Sequence, residues 1–225
     1  MKNHKHVVVI YPHPDDESFG AAGTIKQFRK KGVPVTYLCG TLGEMGRNMG
    51  TPTFANRETL ADIRKKELDD ACEFLDIDWR HLGYRDKTIE FEKKEDVANT
   101  IKEVLEEIKP TLVITHYPNH GVHPDHNALC EGAIEAVRLM DEKERPTVWA
   151  SAITHNFEEE LGEPDIVIPV EDDFDYKLEA ILKHKSQAEG MLMKMQDKTD
   201  AYKVYVDGLK GRLGKERFFI WDFDA

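Results

Sequence analysis

No apolar run in this chain approaches the ~18 residues that a membrane-spanning helix needs. Its three cysteines, Cys39, Cys72 and Cys130, make neither an even set nor a CxxC pair. That excludes a disulfide framework and a cysteine-based zinc module, and leaves reduced, buried thiols. Basic residues are short too: 31 Lys and Arg stand against 43 Asp and Glu, for a net charge of -12 with His neutral. No nucleic-acid partner is expected, because such a partner demands a basic face. A GxGxxG turn is also missing, since Gly20 and Gly23 fall inside a helical pattern rather than in the turn before it. Close packing of that helix on a sheet explains them instead. The amino terminus is basic but has no apolar core or small-residue cleavage site of a signal peptide. The expectation is a soluble, cytoplasmic protein with no membrane partner. With no linker, repeat or low-complexity stretch, residues 1–225 read as one domain.

What is present centres on Tyr11-Pro12-His13-Pro14-Asp15-Asp16-Glu17. The apolar run Val7 to Ile10 leads into it as a buried strand, and a helical pattern follows to about Lys31, closed by Gly32. A second segment, Gly121-Val122-His123-Pro124-Asp125-His126, repeats the arrangement after the run Leu112-Val113-Ile114. Between them the sequence predicts a strand over 33–40, a long polar loop over 41–57 and a helix over 58–75. A short strand over 79–82, a helix over 94–109 and a strand over 111–115 follow. Beyond the helix over 124–140 it predicts strands over 148–154 and 166–170, helices over 173–189 and 191–205, and a closing strand over 217–223. Met191, Met193 and Met195 are read as core or lid packing. Alternating strands and helices demand an α/β, Rossmann-like, largely parallel sheet with helices on both faces. Open sheets of this kind bind ligands at the carboxyl ends of their strands.

Imidazole and carboxylate together suit zinc or a similar divalent ion, ferrous iron included. His13 and Asp16, three apart across a proline-bearing turn, would point at one centre, with His126 as third ligand. Three protein ligands leave a position for water, the mark of a catalytic rather than a structural site. Asp15 is then free to act as general base. His123, as imidazolium, would face an oxyanion, with Asp125 orienting it. Taken singly, Asp16 or Asp125 would do no more than cap a helix; the two clusters together point to a metal.

The chain resembles the LmbE-like, PIG-L superfamily of zinc-dependent N-acetylglucosaminyl deacetylases. The resemblance is carried by residues 12–17, 41–46, 63–68, 83–86 and 123–126, and by Lys177, Ala180 and 184–187. Within that superfamily it is most similar to the accessory type of bacillithiol-pathway deacetylase. The resemblance implies an LmbE-like fold, zinc on His13, Asp16 and His126, Asp15 as base, and His123 with Asp125 on the oxyanion side. It implies an amino-sugar substrate, N-acetylglucosaminyl L-malate, and a homo-oligomer, a trimer or hexamer. Glu17 would bind a sugar hydroxyl. The two malate carboxylates would be read by arginine in bidentate fashion, with Arg47, Arg57, Arg64 and Arg85 as candidates. Otherwise Arg64 would pair with Glu67 or Asp62 on the helix surface, and Arg47 and Arg57 would be solvated loop charges. Lys87 replaces a serine common in relatives, and His184 is equally a structural residue. Chitooligosaccharides, bacillithiol-derived mercapturates and sugar binding without turnover are the alternatives.

Overall fold

The computed structural model describes residues 4–188 and 200–224. Most of the helix expected over 191–205, with its three methionines, lies outside them. The strands are β1 Val7–Tyr11, β2 Val35–Cys39, β3 Asp78–His81, β4 Leu112–His116, β5 Thr147–Ser151, β6 Ile166–Pro169 and β7 Lys215–Ile220. The helices are α1 Asp16–Arg29, α2 Leu60–Leu75, α3 Lys94–Ile108, α4 Pro124–Arg138, α5 Phe157–Leu161, α6 Phe174–Lys183 and α7 Asp200–Leu213.

One seven-stranded sheet has the order β3-β2-β1-β4-β5-β7-β6. Its first five strands pair in parallel. β7 runs antiparallel to both β5 and β6. The α/β, Rossmann-like reading therefore holds, with a single reversed strand. β1 is apolar throughout because both of its faces are covered. Val7, Val9 and Tyr11 enter a core with α1, α2 and α6. Val8 and Ile10 enter a second core with α3 and α4. This alternation follows from the two-residue period of a strand, and the near-continuous apolar run is what a doubly covered parallel strand requires. Gly23 confirms its packing role: a Cβ there would lie 2.5 Å from the Val170 side chain.

Two boundaries and one additional helix differ from expectation for physical reasons. α6 stops at Lys183, because His184 leaves the helical conformation and its ring reaches Glu17 at 2.7 Å. β7 begins two residues early, where Glu216 turns inward to bond the α1 backbone. α5, in the β5–β6 connection, is too short to show a helical period. No helix among the described residues is long and apolar enough to cross a membrane.

The thiols are free and buried, and burial pushes each of them above the ordinary thiol range. Since the thiolate is the reactive form, native protein should show no fast-reacting thiol toward a chromogenic disulfide reagent. All three should react after denaturation. A thiol that reacts rapidly in native buffer would contradict this packing.

Candidate active site

The strand order reverses its sense of growth between β1 and β4. The connections leaving these two neighbours diverge and open a crevice at the switch point. His13 to Asp16 leave β1 on one side of it, and His123 to His126 open α4 on the other. Tyr37 Oη donates to the His13 carbonyl at 2.6 Å. The Thr41 amide and hydroxyl both donate to the Pro12 carbonyl, at 2.8 and 2.9 Å. The turn after β1 is thus fastened to β2.

The inward atoms of His13 Nδ1, His126 Nε2 and Asp16 Oδ2 form a triangle with sides of 3.2, 3.4 and 3.4 Å. A tetrahedral ion with ligand bonds near 2.0–2.1 Å needs ligand edges of about 3.3–3.4 Å. The described residues contain two candidate metal clusters, and the second also uses His13. Each imidazole is set by its other nitrogen. His126 Nδ1 donates to the Gly121 carbonyl at 2.6 Å. His13 Nε2 faces Asp86 at 3.2 Å and Asp125 at 3.4 Å. Burial alone would lower the His13 pKa, but Asp125, Asp16 and Asp86 hold it well above the imidazole range. Positive charge is therefore favoured at this ring, and a metal would replace a proton there. Burial would raise Asp16, yet His126 and His13 keep it well below the carboxylate range.

Asp15 occupies a strained backbone position, φ 107°, uncommon for any residue but glycine. Its amide donates to Glu17 Oε2 at 3.0 Å. Its carboxylate meets Arg64 at 3.1 Å. Burial raises its pKa to about 6, with Arg64 opposing and Asp16 adding. A carboxylate poised near neutrality beside a ligand triangle has the character of a general base.

The geometry corrects several expectations. Asp125 does not orient His123 with its carboxylate. That carboxylate accepts the Lys87 and Ile89 amides, at 2.7 and 3.1 Å, and faces His13. The Asp125 backbone amide donates to His123 Nδ1 at 3.1 Å. This contact makes His123 Nδ1 an acceptor, and burial with the nearby His13 lowers its pKa, which favours a neutral ring carrying its proton on Nε2 over an imidazolium. Glu17 is fully buried, and His184, Ser18 and the Asp15 amide consume its carboxylate. It supports the Asp15 turn, and its carboxylate is engaged inside the protein rather than open to the crevice. Arg64 pairs with neither Glu67 nor Asp62. It is 4% exposed and donates to the Gly43 and Pro14 carbonyls and to Asp15. Gly43, at φ +62°, has no side chain because a Cβ there would overlap this guanidinium. Arg57 is exposed and donates to the Gly46 carbonyl at 2.7 Å. Arg47 and Arg85 are exposed loop residues.

Two buried residues at the site carried no role in the sequence reading. Asp86 accepts the Met45 amide at 2.8 Å while facing His13; its only signal was the motif Gly83-Tyr84-Arg85-Asp86. His116 ends β4 and stacks on His126, with centroids 4.3 Å apart. Burial holds its pKa down at about 3, so it forms a neutral wall behind His126.

A family model described as PIG-L, GlcNAc-PI de-N-acetylase, matches residues 8–137. The chain belongs to the PIG-L family. A Bacillus cereus relative named "Probable N-acetyl-alpha-D-glucosaminyl L-malate deacetylase 2" is 55% identical over 84% of this chain and 86% of its own length. A Bacillus subtilis relative of the same name is 53% identical over 86% of this chain and 88% of its own length. Among solved structures, N,N'-diacetylchitobiose deacetylase from Pyrococcus horikoshii superposes with a TM-score of 0.75. It is 26% identical and covers 98% of this chain and 85% of that one.

For this PIG-L chain, Asp125→Asn is expected to weaken metal binding by about 10–100-fold, as loss of a carboxylate behind a ligand histidine does. Competition against a chromogenic chelator measures it. Unchanged affinity would remove Asp125 from the support of His13.

Proposed function

We propose that this protein is a metal-dependent N-deacetylase that hydrolyses N-acetylglucosaminyl L-malate to the free amine and acetate. The observation that carries the reading is the ligand triangle with Asp15 beside it, in a chain more than half identical to relatives named for that substrate. His13, Asp16 and His126 would hold the ion. Two imidazoles and a carboxylate suit zinc, and ferrous iron equally. The ion, when bound, lowers the pKa of water and polarises a carbonyl.

The chain's own groups do the rest. Asp15 accepts the proton of the attacking water and returns it to the leaving amine nitrogen. His123 offers its Nε2–H to the oxygen that gains charge, as a neutral donor needing no titration. Arg64 holds Asp15 in place and opposes its protonation. Asp86 and Asp125 fix the His13 ring. The reduced thiols and the biosynthetic substrate favour the cytoplasm as compartment.

Amine release from N-acetylglucosaminyl L-malate, beside methyl N-acetylglucosaminide and N,N'-diacetylchitobiose, tests the reading. The malate conjugate should be strongly preferred. Chelation should abolish turnover, and added zinc or ferrous iron should restore it. Full activity in metal-free protein would overturn the metal role, and equal turnover of all three sugars would overturn the malate assignment.

A further inference from the structure

One turn holds both histidines at the start of α4, and its support comes from outside the steps above. The Gly121 carbonyl accepts two hydrogen bonds, from the His126 ring at 2.6 Å and from the His123 amide at 2.7 Å. The second closes a three-residue γ-turn over residues 121–123. Val122 stands at its apex with φ +52°. A β-branched residue rarely takes a positive φ, and a γ-turn of this hand is a strained form. The Val122 side chain does not impose the conformation, since it is 66% exposed. Such a backbone persists only where its surroundings over-determine it.

Two grips do this. Upstream, the His120 carbonyl accepts the Ile153 amide at 2.9 Å, and the His120 ring meets the Thr154 hydroxyl at 2.7 Å. Downstream, Asn127 clasps the turn at both ends. Its Oδ1 accepts the Gly121 amide at 3.0 Å, and its own amide donates to the His123 carbonyl at 3.2 Å. The amide bond belongs to the first turn of α4 and needs no particular side chain. The Oδ1 bond needs an acceptor on a short side chain at position 127. Packing around the turn is close: a Cβ on Gly121 would lie 2.6 Å from the His126 Cβ and 2.9 Å from Asn127 Oδ1. Glycine leaves the chain free to rotate here, so the direction of its carbonyl depends on what grips the residue.

We infer that Asn127 is a positioning residue for the metal centre. By holding the Gly121 nitrogen it aims the Gly121 carbonyl, and that carbonyl fixes the His126 tautomer with Nε2 turned to the triangle. The same carbonyl seats the His123 amide, so one side chain sets a ligand and the oxyanion donor together. The inference rests on the metal-dependent reading above and adds to it the residue that prepares the α4 half of the site.

The test measures zinc affinity, by competition against a chromogenic chelator, on wild type, Asn127→Ala and Asn127→Asp. Asn127→Ala should bind zinc about tenfold more weakly, the low end of what an outer partner of a ligand histidine is worth. Asn127→Asp keeps an acceptor in the same place and should bind at least as tightly as wild type. Cobalt-loaded protein gives a second readout, because the geometry of the ligand set shapes its visible spectrum. Asn127→Ala should alter that spectrum and Asn127→Asp should keep it. At saturating zinc, Asn127→Ala should lower kcat with KM little changed, since the His123 contact strengthens only in the transition state. A residue that merely stabilises the fold would lower the melting temperature of metal-free Asn127→Ala while leaving affinity and spectrum unmoved, and that result would overturn the inference. Equal loss of zinc in Asn127→Asp and Asn127→Ala would overturn it too. Wild type that binds no zinc would bring down the metal reading as well, whereas wild-type binding that Asn127→Ala leaves unchanged would bring down this inference alone.

Discussion

Asp15→Asn is expected to lower deacetylation by about 10²–10⁴-fold, the usual contribution of a general base, with metal content unchanged. Asparagine is the right substitute because it keeps the shape of the side chain and tolerates positive φ better than alanine does. The amide cannot accept the proton of water, so the loss falls on kcat. The pH profile carries the same information. A base works only when deprotonated, so activity should rise with pH through the Asp15 pKa, at about 6 from burial, Arg64 and Asp16. A cation on the adjacent triangle favours the carboxylate, so the limb in loaded enzyme should lie at or below that value. Arg64→Ala removes an opposing charge 3.1 Å away. It should move the limb to higher pH as well as lower the rate. A profile identical in wild type and Arg64→Ala would show that the limb belongs to another group. Loss of metal in Asp15→Asn would make Asp15 a ligand instead.

Glu216→Ala should cost more stability than any surface change in the molecule. Lys177 and Glu216 are 1% and 3% exposed and meet at 2.7 Å. Breaking a buried pair by removing one partner costs about 3–5 kcal/mol, because the survivor is left charged in the interior. Glu216 also accepts the Gly23 amide, the Thr24 amide and the Thr24 hydroxyl. Its removal therefore orphans three donors besides the ammonium. Lys177→Met leaves a carboxylate that still has those donors. Both variants should melt about 6–20 °C lower, at the usual 2–4 °C per kcal/mol for a chain of this size, and Glu216→Ala should be the worse. Thermal and urea unfolding measure this. A melting point unmoved by Lys177→Met would mean that the pair contributes nothing net.

The difference between what was legible in the sequence and what was not is a difference of range. β1 and β4 were visible because doubly covered strands are continuously apolar. The ligand residues were visible because each sits within a few positions of a strand end, where the fold class places sites. Side-chain direction was not visible. Asp16 and Glu17 are adjacent, yet Asp16 points into the crevice and Glu17 is sealed behind it, because consecutive residues at the start of α1 project about 100° apart. Arg64 was expected to reach the substrate acid or, otherwise, to pair on the helix surface, and only the seating of α2 against the β1 turn reveals its contacts with Asp15 and the Gly43 and Pro14 carbonyls. His184 broke a helix that its sequence continues, through a contact made 167 residues away. Asp86 and His116 gave almost no local signal, since their roles depend on where His13 and His126 stand.

The reversed strand has a consequence for how this chain is made. Among the described residues β6 has β7 as its only strand partner, and β7 fills the gap between β5 and β6. Everything that β7 bridges leaves the ribosome before it does. Until then β5 presents an open edge, α1 has no carboxylate for its Gly23 and Thr24 amides, and Lys177 has no counter-charge. The nascent protein thus waits with an incomplete sheet, a state prone to edge-to-edge association. Completion of the fold is tied to the arrival of Lys215–Ile220, a segment that supplies strand pairing and the buried counter-charge in one step.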